Sequence, residues 1–216
     1  MKKLLLITLV LAAVLVAYAG EKGGPPAGYQ GATAERPQLV KGDKWEYSRL
    51  GRTASYEFVE EKEGQLVFEK VEDGTKTTEY YTPDLNLVKE LDETGGVLEE
   101  VKPYKGGLSF PLWVGKKWSY KFSTTKREAK GSPGMLTEIE SNVKVVGYEQ
   151  VTVPAGTFWA FKVEEARRKA GKKMALLGKQ RTIWYSPEVK RAVKTEEEDE
   201  EFNRELTRYS VSAADK

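Results

Sequence analysis

The sequence of 216 residues contains no histidine and no cysteine. These absences exclude Ser-His-Asp and Cys-His catalysis, thiol redox chemistry, and zinc or copper sites built from nitrogen and sulfur ligands. They also exclude a disulfide and the acylated cysteine of a lipoprotein. The chain has no dinucleotide-binding fingerprint and no phosphate-binding Gly-Lys-Ser/Thr loop. We therefore expect a protein that is not an enzyme, with no metal site and no cofactor.

The chain also carries little net charge. The formal net charge is +2, from 35 Lys and Arg against 33 Asp and Glu. Removal of Lys2 and Lys3 with a cleaved N-terminus would leave 33 residues of each sign. Nucleic acid is bound through a basic surface that neutralises phosphates. The balance of charges therefore predicts no nucleic-acid partner.

The N-terminus has the pattern of a secretory signal peptide. Lys2 and Lys3 precede an apolar run from Leu4 to Val16, and Ala17-Tyr18-Ala19 places small residues where signal peptidase cleaves. An uncleaved membrane anchor is the alternative, but the run is shorter than the roughly 20 residues of a spanning helix. We expect residues 1–19 to be removed and the protein to be exported, to the periplasm or the extracellular space, with membrane contact that is at most peripheral.

Residues 20–40 are rich in glycine, proline and polar side chains, with Gly23-Gly24-Pro25-Pro26 at their centre. A segment with so little apolar surface cannot compensate for the entropy lost on ordering. The composition predicts a flexible leader over residues 20–40. The folded domain would then cover residues 41–212, a usual size for one domain with its own core.

The domain contains an internal repeat, which divides it into units of about 41–105 and 106–212. Three landmarks occur in the same order in both units, which is typical of a duplicated supersecondary unit; chance similarity between strand-rich segments is the alternative. The matched pairs are Lys41–Tyr47 with Val114–Tyr120, Leu66–Glu72 with Trp159–Glu164, and Tyr80–Leu85 with Trp184–Val189.

Apolar residues alternate with polar ones along most of the domain, as in Trp45 and Tyr47, or Trp118, Tyr120 and Phe122. A period of two indicates antiparallel strands with one buried face. The sequence therefore predicts an all-β fold of about ten to twelve strands in two tandem antiparallel meanders. So many strands cannot lie flat, and we expect a strongly curved sheet that forms a half-barrel or open barrel, or two packed layers.

One hairpin is especially clear at Val153–Phe158, where Pro154 begins a type I turn with a bulge and Gly156 closes it in the left-handed conformation, at positive φ. Together with Val114–Trp118 and Trp184–Pro187, this hairpin resembles a recurring pattern in uncharacterised exported bacterial β proteins. Some of these are similar in architecture to the half-barrel lipoprotein carriers of the periplasm. The resemblance covers about Leu112 to Thr195 and implies a fold, but no functional residue.

Two other kinds of site, a catalytic pair of carboxylates and a calcium site, are alternatives. Paired carboxylates on an aromatic platform could cleave a glycosidic bond, but alternation places most acids in water, and aromatic residues are common in sheets. We expect Trp45, Trp118 and Trp159 to fill the core. The acidic run Glu196–Glu201 offers oxygen ligands to calcium, but it lacks the spacing of a calcium loop, so a solvated turn is expected.

The basic run beginning at Arg167 leads into an apolar patch, and meander geometry places it at the same end of the sheet as the acidic run. Mutual neutralisation of the two runs is one interpretation. The other is a lip over the open end of the sheet that binds a lipid-like ligand or anionic head groups. The residues of this candidate ligand-binding site are Lys172, Lys173, Met174, Leu176 and Leu177.

The sequence thus favours a non-catalytic exported binding module of the cell envelope. Its concave face would hold a hydrophobic or lipid-like small molecule. The alternative is an envelope structural or interaction domain with a filled core, whose partner is another envelope protein.

Overall fold

A computed structural model describes residues 23–127, 134–169 and 180–212. The described residues form fourteen β-strands and one short 3-10 turn, with no helix long and apolar enough to cross a membrane. The strands are β1 Thr33–Ala34, β2 Lys44–Arg49, β3 Arg52–Lys62, β4 Gln65–Glu72, β5 Thr75–Tyr81, β6 Leu87–Asp92, β7 Val97–Lys102, β8 Leu112–Trp113, β9 Lys117–Lys126, β10 Met135–Val153, β11 Gly156–Lys169, β12 Gln180–Ser186, β13 Arg191–Glu197 and β14 Arg204–Ser210; the 3-10 turn is Glu200–Phe202.

Twelve of these strands form a closed antiparallel barrel in which β2 to β7 and β9 to β14 are each consecutive neighbours. Pairing of β7 with β9 joins the two halves on one side, and pairing of β14 with β2 joins them on the other. The all-β prediction is confirmed, but the predicted half-barrel or open barrel is wrong. Alternation along a strand reveals which face is buried, whereas closure depends on which edges meet, and Leu206 meets Tyr47 across that seam.

The matched landmarks of the two sequence units lie on strands of equal rank in the two halves. The first lies at the start of β2 and of β9, the second on β4 and β11, and the third on β5 and β12. Backbone bonds at the first landmark also correspond. Gly42 N donates to the Phe58 carbonyl, and Gly115 N donates to the Val145 carbonyl, each at 2.9 Å. A common origin of the two halves stays a prediction that this correspondence favours.

The Val153–Phe158 hairpin joins β10 to β11 through the two residues Pro154 and Ala155, because Val153 pairs directly with Gly156. Gly156 has φ +138°, so the predicted positive φ is confirmed. The register shift in this hairpin lies between Val145 and Gly147 rather than at the turn. Ala155 N donates to the Leu206 carbonyl at 3.0 Å, which fixes the hairpin tip against β14.

Part of the segment predicted to be a flexible leader, residues 20–40, is bound to the barrel. Its residues Thr33 and Ala34 form β1, which pairs with β8, and Ala34 is buried. Tyr29 adds a contact by accepting a hydrogen bond from Val114 N at 3.1 Å. The polar composition of the segment does not predict this pairing, because the residue that becomes buried is a single small one, Ala34.

The core consists of two clusters of buried apolar side chains. One is centred on Trp118, Phe161 and Tyr185, and the other on Trp45, Phe68 and Leu206. Trp45 and Trp118 are therefore core residues, as predicted. Trp159 is not, because its side chain is 50% exposed and stacks on Tyr148 at the surface with ring centroids 5.2 Å apart.

Candidate functional site

A cavity of about 300 Å³ lies inside the barrel and is lined from both halves of the sheet; we call it the interior cavity. Eight cationic and five acidic side chains line it, together with tyrosines and a few apolar residues. The charged residues are Arg49, Arg167, Arg181, Arg191, Arg204, Lys70, Lys105, Lys126, Glu72, Glu79, Glu90, Glu99 and Glu197.

Strand geometry explains why these charges lie inside. Alternate residues of a strand share a face. On β4, buried Phe68 is followed on its own face by Lys70 and Glu72. On β11, buried Val163 is followed in the same way by Glu165. The inward face of the barrel therefore changes from apolar to charged toward the end of the barrel where β4 and β11 finish.

Lys70 is at the centre of one charged group. Its Nζ lies 3.1 Å from Glu72, 3.6 Å from Glu79 and 3.5 Å from Glu90. Burial acts to raise the pKa of Glu72, but the hydrogen bond and charge of Lys70 together with the charges of Arg49 and Arg204 outweigh it, and the net shift is downward. Tyr81 donates its hydroxyl hydrogen to Glu79. One lysine thus lies within about 4 Å of three carboxylates.

Glu165 is at the centre of a second group and is fully buried. It accepts hydrogen bonds from Arg167 Nε and Nη2 at 2.8 and 2.9 Å, and another from the Tyr120 hydroxyl. Arg181 lies 3.7 Å from the same carboxylate. Burial acts to raise the pKa of Glu165, but the charge and hydrogen bonds of Arg167, together with Arg181 and Tyr120, outweigh it and the net shift is downward. Glu165 is therefore ionised and fixes two arginines at the cavity wall.

Lys105 and Glu99 form a third pair at 2.6 Å. Burial lowers the pKa of Lys105, and the nearby Arg167 and Arg181 lower it further against the attraction of Glu99. Burial would raise the pKa of Glu99, but Lys105 reverses the shift. Cationic groups are thus crowded enough in this part of the cavity to repel one another.

Arg191 differs from the other cavity arginines because aromatic rings surround it. Its Cζ lies 4.6 Å from the ring centroids of Tyr56 and Phe68, 5.1 Å from Trp45 and 5.7 Å from Tyr81. Such contacts with ring faces are attractive to a guanidinium. Arg191 Nη1 is buried and has no hydrogen-bond partner among the described residues.

Arg204 also contacts Tyr56. Its Nη1 donates to the Tyr56 hydroxyl at 3.3 Å, and its Cζ lies 5.8 Å from the Tyr47 ring centroid. Tyr47 in turn donates its hydroxyl hydrogen to the Ala192 carbonyl at 2.8 Å. One tyrosine, Tyr56, is therefore contacted by both arginines, at its ring by Arg191 and at its hydroxyl by Arg204.

The sequence-predicted site, Lys172, Lys173, Met174, Leu176 and Leu177, lies outside the described residues. The strands that flank it end at the charged part of the barrel, where Arg167 and Arg181 line the interior cavity.

The predicted proximity of the basic and acidic runs is observed at their described ends. Glu197 lies 3.8 Å from Arg167 and 3.3 Å from Arg181. Mutual neutralisation therefore occurs at this point of contact. Among the described residues, no acidic cluster is arranged to hold a metal ion.

A second cleft, of about 660 Å³, lies between the N-terminal segment and the connection from β7 to β9; we call it the leader cleft. Its wall is more apolar than that of the interior cavity and includes Leu108, Phe110, Pro111 and Trp118. Trp118 Nε1 donates to the Gly106 carbonyl at 2.8 Å, which fixes the indole at this wall.

The alternation of apolar and polar residues places charged side chains on the solvent-exposed face of each strand. It therefore does not predict the interior cavity. A signal was present on β4, where Lys70 and Glu72 continue the same alternation as Leu66 and Phe68. No comparable signal marked Arg191, because its ring contacts come from residues distant in sequence.

No known protein family matches the chain, and no curated protein is detectably similar to it. Three solved structures share a distant likeness. The hypothetical lipoprotein YmcC from Escherichia coli K12 is 11% identical, with a TM-score of 0.49 over 82% of this chain and 90% of that one. A provisionally assigned exported protein with a YmcC-like fold from Bacteroides fragilis NCTC 9343 is 13% identical, with a TM-score of 0.42 over 82% and 99%.

The third structure is a provisionally assigned lipoprotein from Parabacteroides distasonis ATCC 8503, 15% identical with a TM-score of 0.39 over 82% and 99% of the two chains. At this distance the likeness assigns neither a family nor a function.

Proposed function

We propose that this protein is an exported, non-catalytic binding protein of the cell envelope that holds a small ligand in the interior cavity. The observation that carries the proposal is the cavity itself, about 300 Å³ in volume, which is open to solvent on one side and lined by charged side chains from both halves of the barrel. Binding sites for small molecules are concave and present a few fixed polar groups. A filled barrel would leave no such space.

Export is supported by the N-terminal pattern of two lysines, an apolar run and Ala17-Tyr18-Ala19. The absence of cysteine from the whole sequence agrees with a protein that needs no lipid attached through that residue. The protein would then bind its ligand outside the cytoplasm.

A binding role, rather than catalysis, is supported by the state of the cavity carboxyls. A general acid at neutral pH needs a raised pKa. The pKa values of Glu72, Glu99 and Glu165 are instead lowered, because a lysine or an arginine contacts each of them. These carboxylates are suited to holding cationic side chains in place.

A second candidate function keeps the lipid-like ligand but places it in the leader cleft. The apolar wall of that cleft, with Leu108, Phe110 and Trp118, favours this position over the charged interior. The third possibility, an interaction domain with a filled core, is favoured by the two packed apolar clusters.

The test is native mass spectrometry of protein purified from a secreting host without detergent, followed by organic extraction. Two matched variants separate the sites: Ala54→Leu adds bulk to the interior cavity, and Ser109→Leu adds bulk to the leader cleft. We expect a stoichiometric adduct that Ala54→Leu abolishes and Ser109→Leu retains.

The opposite pattern would place the ligand in the leader cleft and contradict the proposal. A clean apo mass for the wild-type protein would contradict a tightly held ligand and favour the interaction domain.

A further inference from the structure

Two arginines of the interior cavity, Arg191 and Arg204, lack the acidic partners that its other arginines have. Arg167 and Arg181 contact Glu165, and Arg49 lies 3.5 Å from Glu72. No carboxylate of the described residues lies within 4 Å of Arg191 or Arg204. Buried charges in proteins are normally paired, so buried Arg191 is an exception that a ligand would explain, and half-buried Arg204 in the same cavity has no acidic partner either.

The position of Arg191 is fixed by its surroundings. The rings of Trp45, Tyr56 and Phe68 hold the guanidinium within about 5 Å of their centroids, so it cannot swing toward an acid. Nevertheless the ring faces offer no acceptor in the plane of its N–H groups, and Nη1 is left without a partner. A buried donor without a partner is costly. The arrangement therefore supplies a donor that is already in place for an acceptor from outside the chain.

Arg204 has one weak polar contact, the 3.3 Å bond to Tyr56. The nearest acids, Glu72 and Glu79, are already bound by Lys70. An arginine presents five donors, and here most of them are unused.

The charge balance of the whole cavity also favours a bound anion. Eight cationic side chains face five acidic ones, and buried Glu165 brings the acids to six. The cationic side chains that line the cavity therefore outnumber the acidic ones, and an anion is the natural counter-charge for this excess.

We propose that Arg191 and Arg204, which both contact Tyr56, form a subsite for an oxyanion, namely the carboxylate or phosphate group of a small organic ligand. This inference rests on the proposed function and names the chemistry of its ligand. Guanidinium groups bind carboxylate and phosphate through paired N–H donors. The aromatic rings around Arg191 provide an apolar wall for the carbon skeleton of the ligand.

The test is isothermal titration of the mature protein, first stripped of any bound ligand, with inorganic phosphate and with succinate, at an ionic strength held constant with chloride. The variants are Arg191→Gln, Arg204→Gln and Arg204→Lys. Arg208→Gln is the matched control, because Arg208 lies on the same strand as Arg204 with 78% of its side chain exposed.

We expect saturable binding of at least one probe to the wild-type protein. Loss of charged hydrogen bonds should weaken it by about tenfold or more in Arg191→Gln and Arg204→Gln, less in Arg204→Lys, and not at all in Arg208→Gln. The preferred probe distinguishes a carboxylate ligand from a phosphate ligand. If Arg191→Gln does not fold, the comparison of Arg204→Gln with Arg204→Lys decides whether the subsite exists.

Equal binding by Arg204→Gln and the wild-type protein would overturn the subsite, and so would failure of both probes to bind at millimolar concentration. If native mass spectrometry then finds a neutral or cationic ligand in the interior cavity, the subsite alone is wrong. If it finds no ligand, the proposed function is wrong as well.

Discussion

Glu165 offers the sharpest test of how the charged interior stabilises the barrel. The substitution Glu165→Gln keeps the shape of the side chain but removes the negative charge that faces Arg167 and Arg181. The amide also places a donor opposite one of the guanidinium groups. Two cationic side chains would then be left near one another without their shared counter-ion.

The magnitude follows from burial. Glu165 is fully buried, and removal of one partner from a buried ion pair costs about 3–5 kcal/mol because the other charge stays in place. For a domain of this size each kcal/mol corresponds to about 2–4 °C in Tm. We therefore expect Glu165→Gln to lower the Tm by roughly 6–20 °C.

The effect depends on pH, and the sign follows from the pKa. The folded-state pKa of Glu165 lies below its ordinary value of 4.5, so the carboxylate stabilises the fold above that pH. This stabilisation is lost as the pH falls through the folded-state pKa. The difference in unfolding free energy between the wild-type protein and Glu165→Gln should be constant near neutrality and shrink below about pH 4.5.

The assay is urea unfolding monitored by tryptophan fluorescence, from pH 7 to pH 3. Glu100→Gln is the control, because Glu100 is 46% exposed and pairs with Lys102 at the surface, where such pairs contribute little. A loss of less than about 1 kcal/mol in Glu165→Gln, or a loss equal to that of the control, would refute the buried network.

Three further substitutions test the packing of the barrel, all by thermal unfolding. Gly156→Val should cost roughly 1–3 kcal/mol, because a β-branched residue is strained at φ +138°; an unchanged Tm would show that the turn differs from the one described. Trp45→Ala should cost roughly 3–5 kcal/mol because Trp45 is fully buried, whereas Trp159→Ala should cost less than about 1.5 kcal/mol, the value of one aromatic contact. Similar losses in the two tryptophan variants would contradict their different burial.

The strands themselves could be predicted because their information is local. Alternation at Trp45 and Tyr47 predicts which face of β2 is buried, and the structure agrees. Gly156 similarly predicts a positive φ at the end of the turn that Pro154 begins, because glycine adopts such a backbone conformation without a steric cost. The all-β class, the two runs of consecutive strands and the principal hairpin follow from such local patterns.

The interior cavity could not be predicted in the same way. Its charged side chains continue the alternation of β4 and β11 on the buried face, and sequence alone does not show whether Lys70 or Glu165 is inside or in water. That depends on partners from other strands, such as Glu90 for Lys70 and Arg181 for Glu165.

The sequence by itself determined the strand-forming segments, the turns and the exclusion of chemistry that needs histidine or cysteine. Each of these depends on residue type or on neighbours a few positions away. Only the tertiary structure decided that the sheet closes, that Trp159 lies outside and that Arg191 lies in a cage of rings. The physical reason is that closure and burial depend on contacts between residues far apart in the chain. Trp45, for example, donates to the carbonyl of Val189 at 2.7 Å across 144 positions.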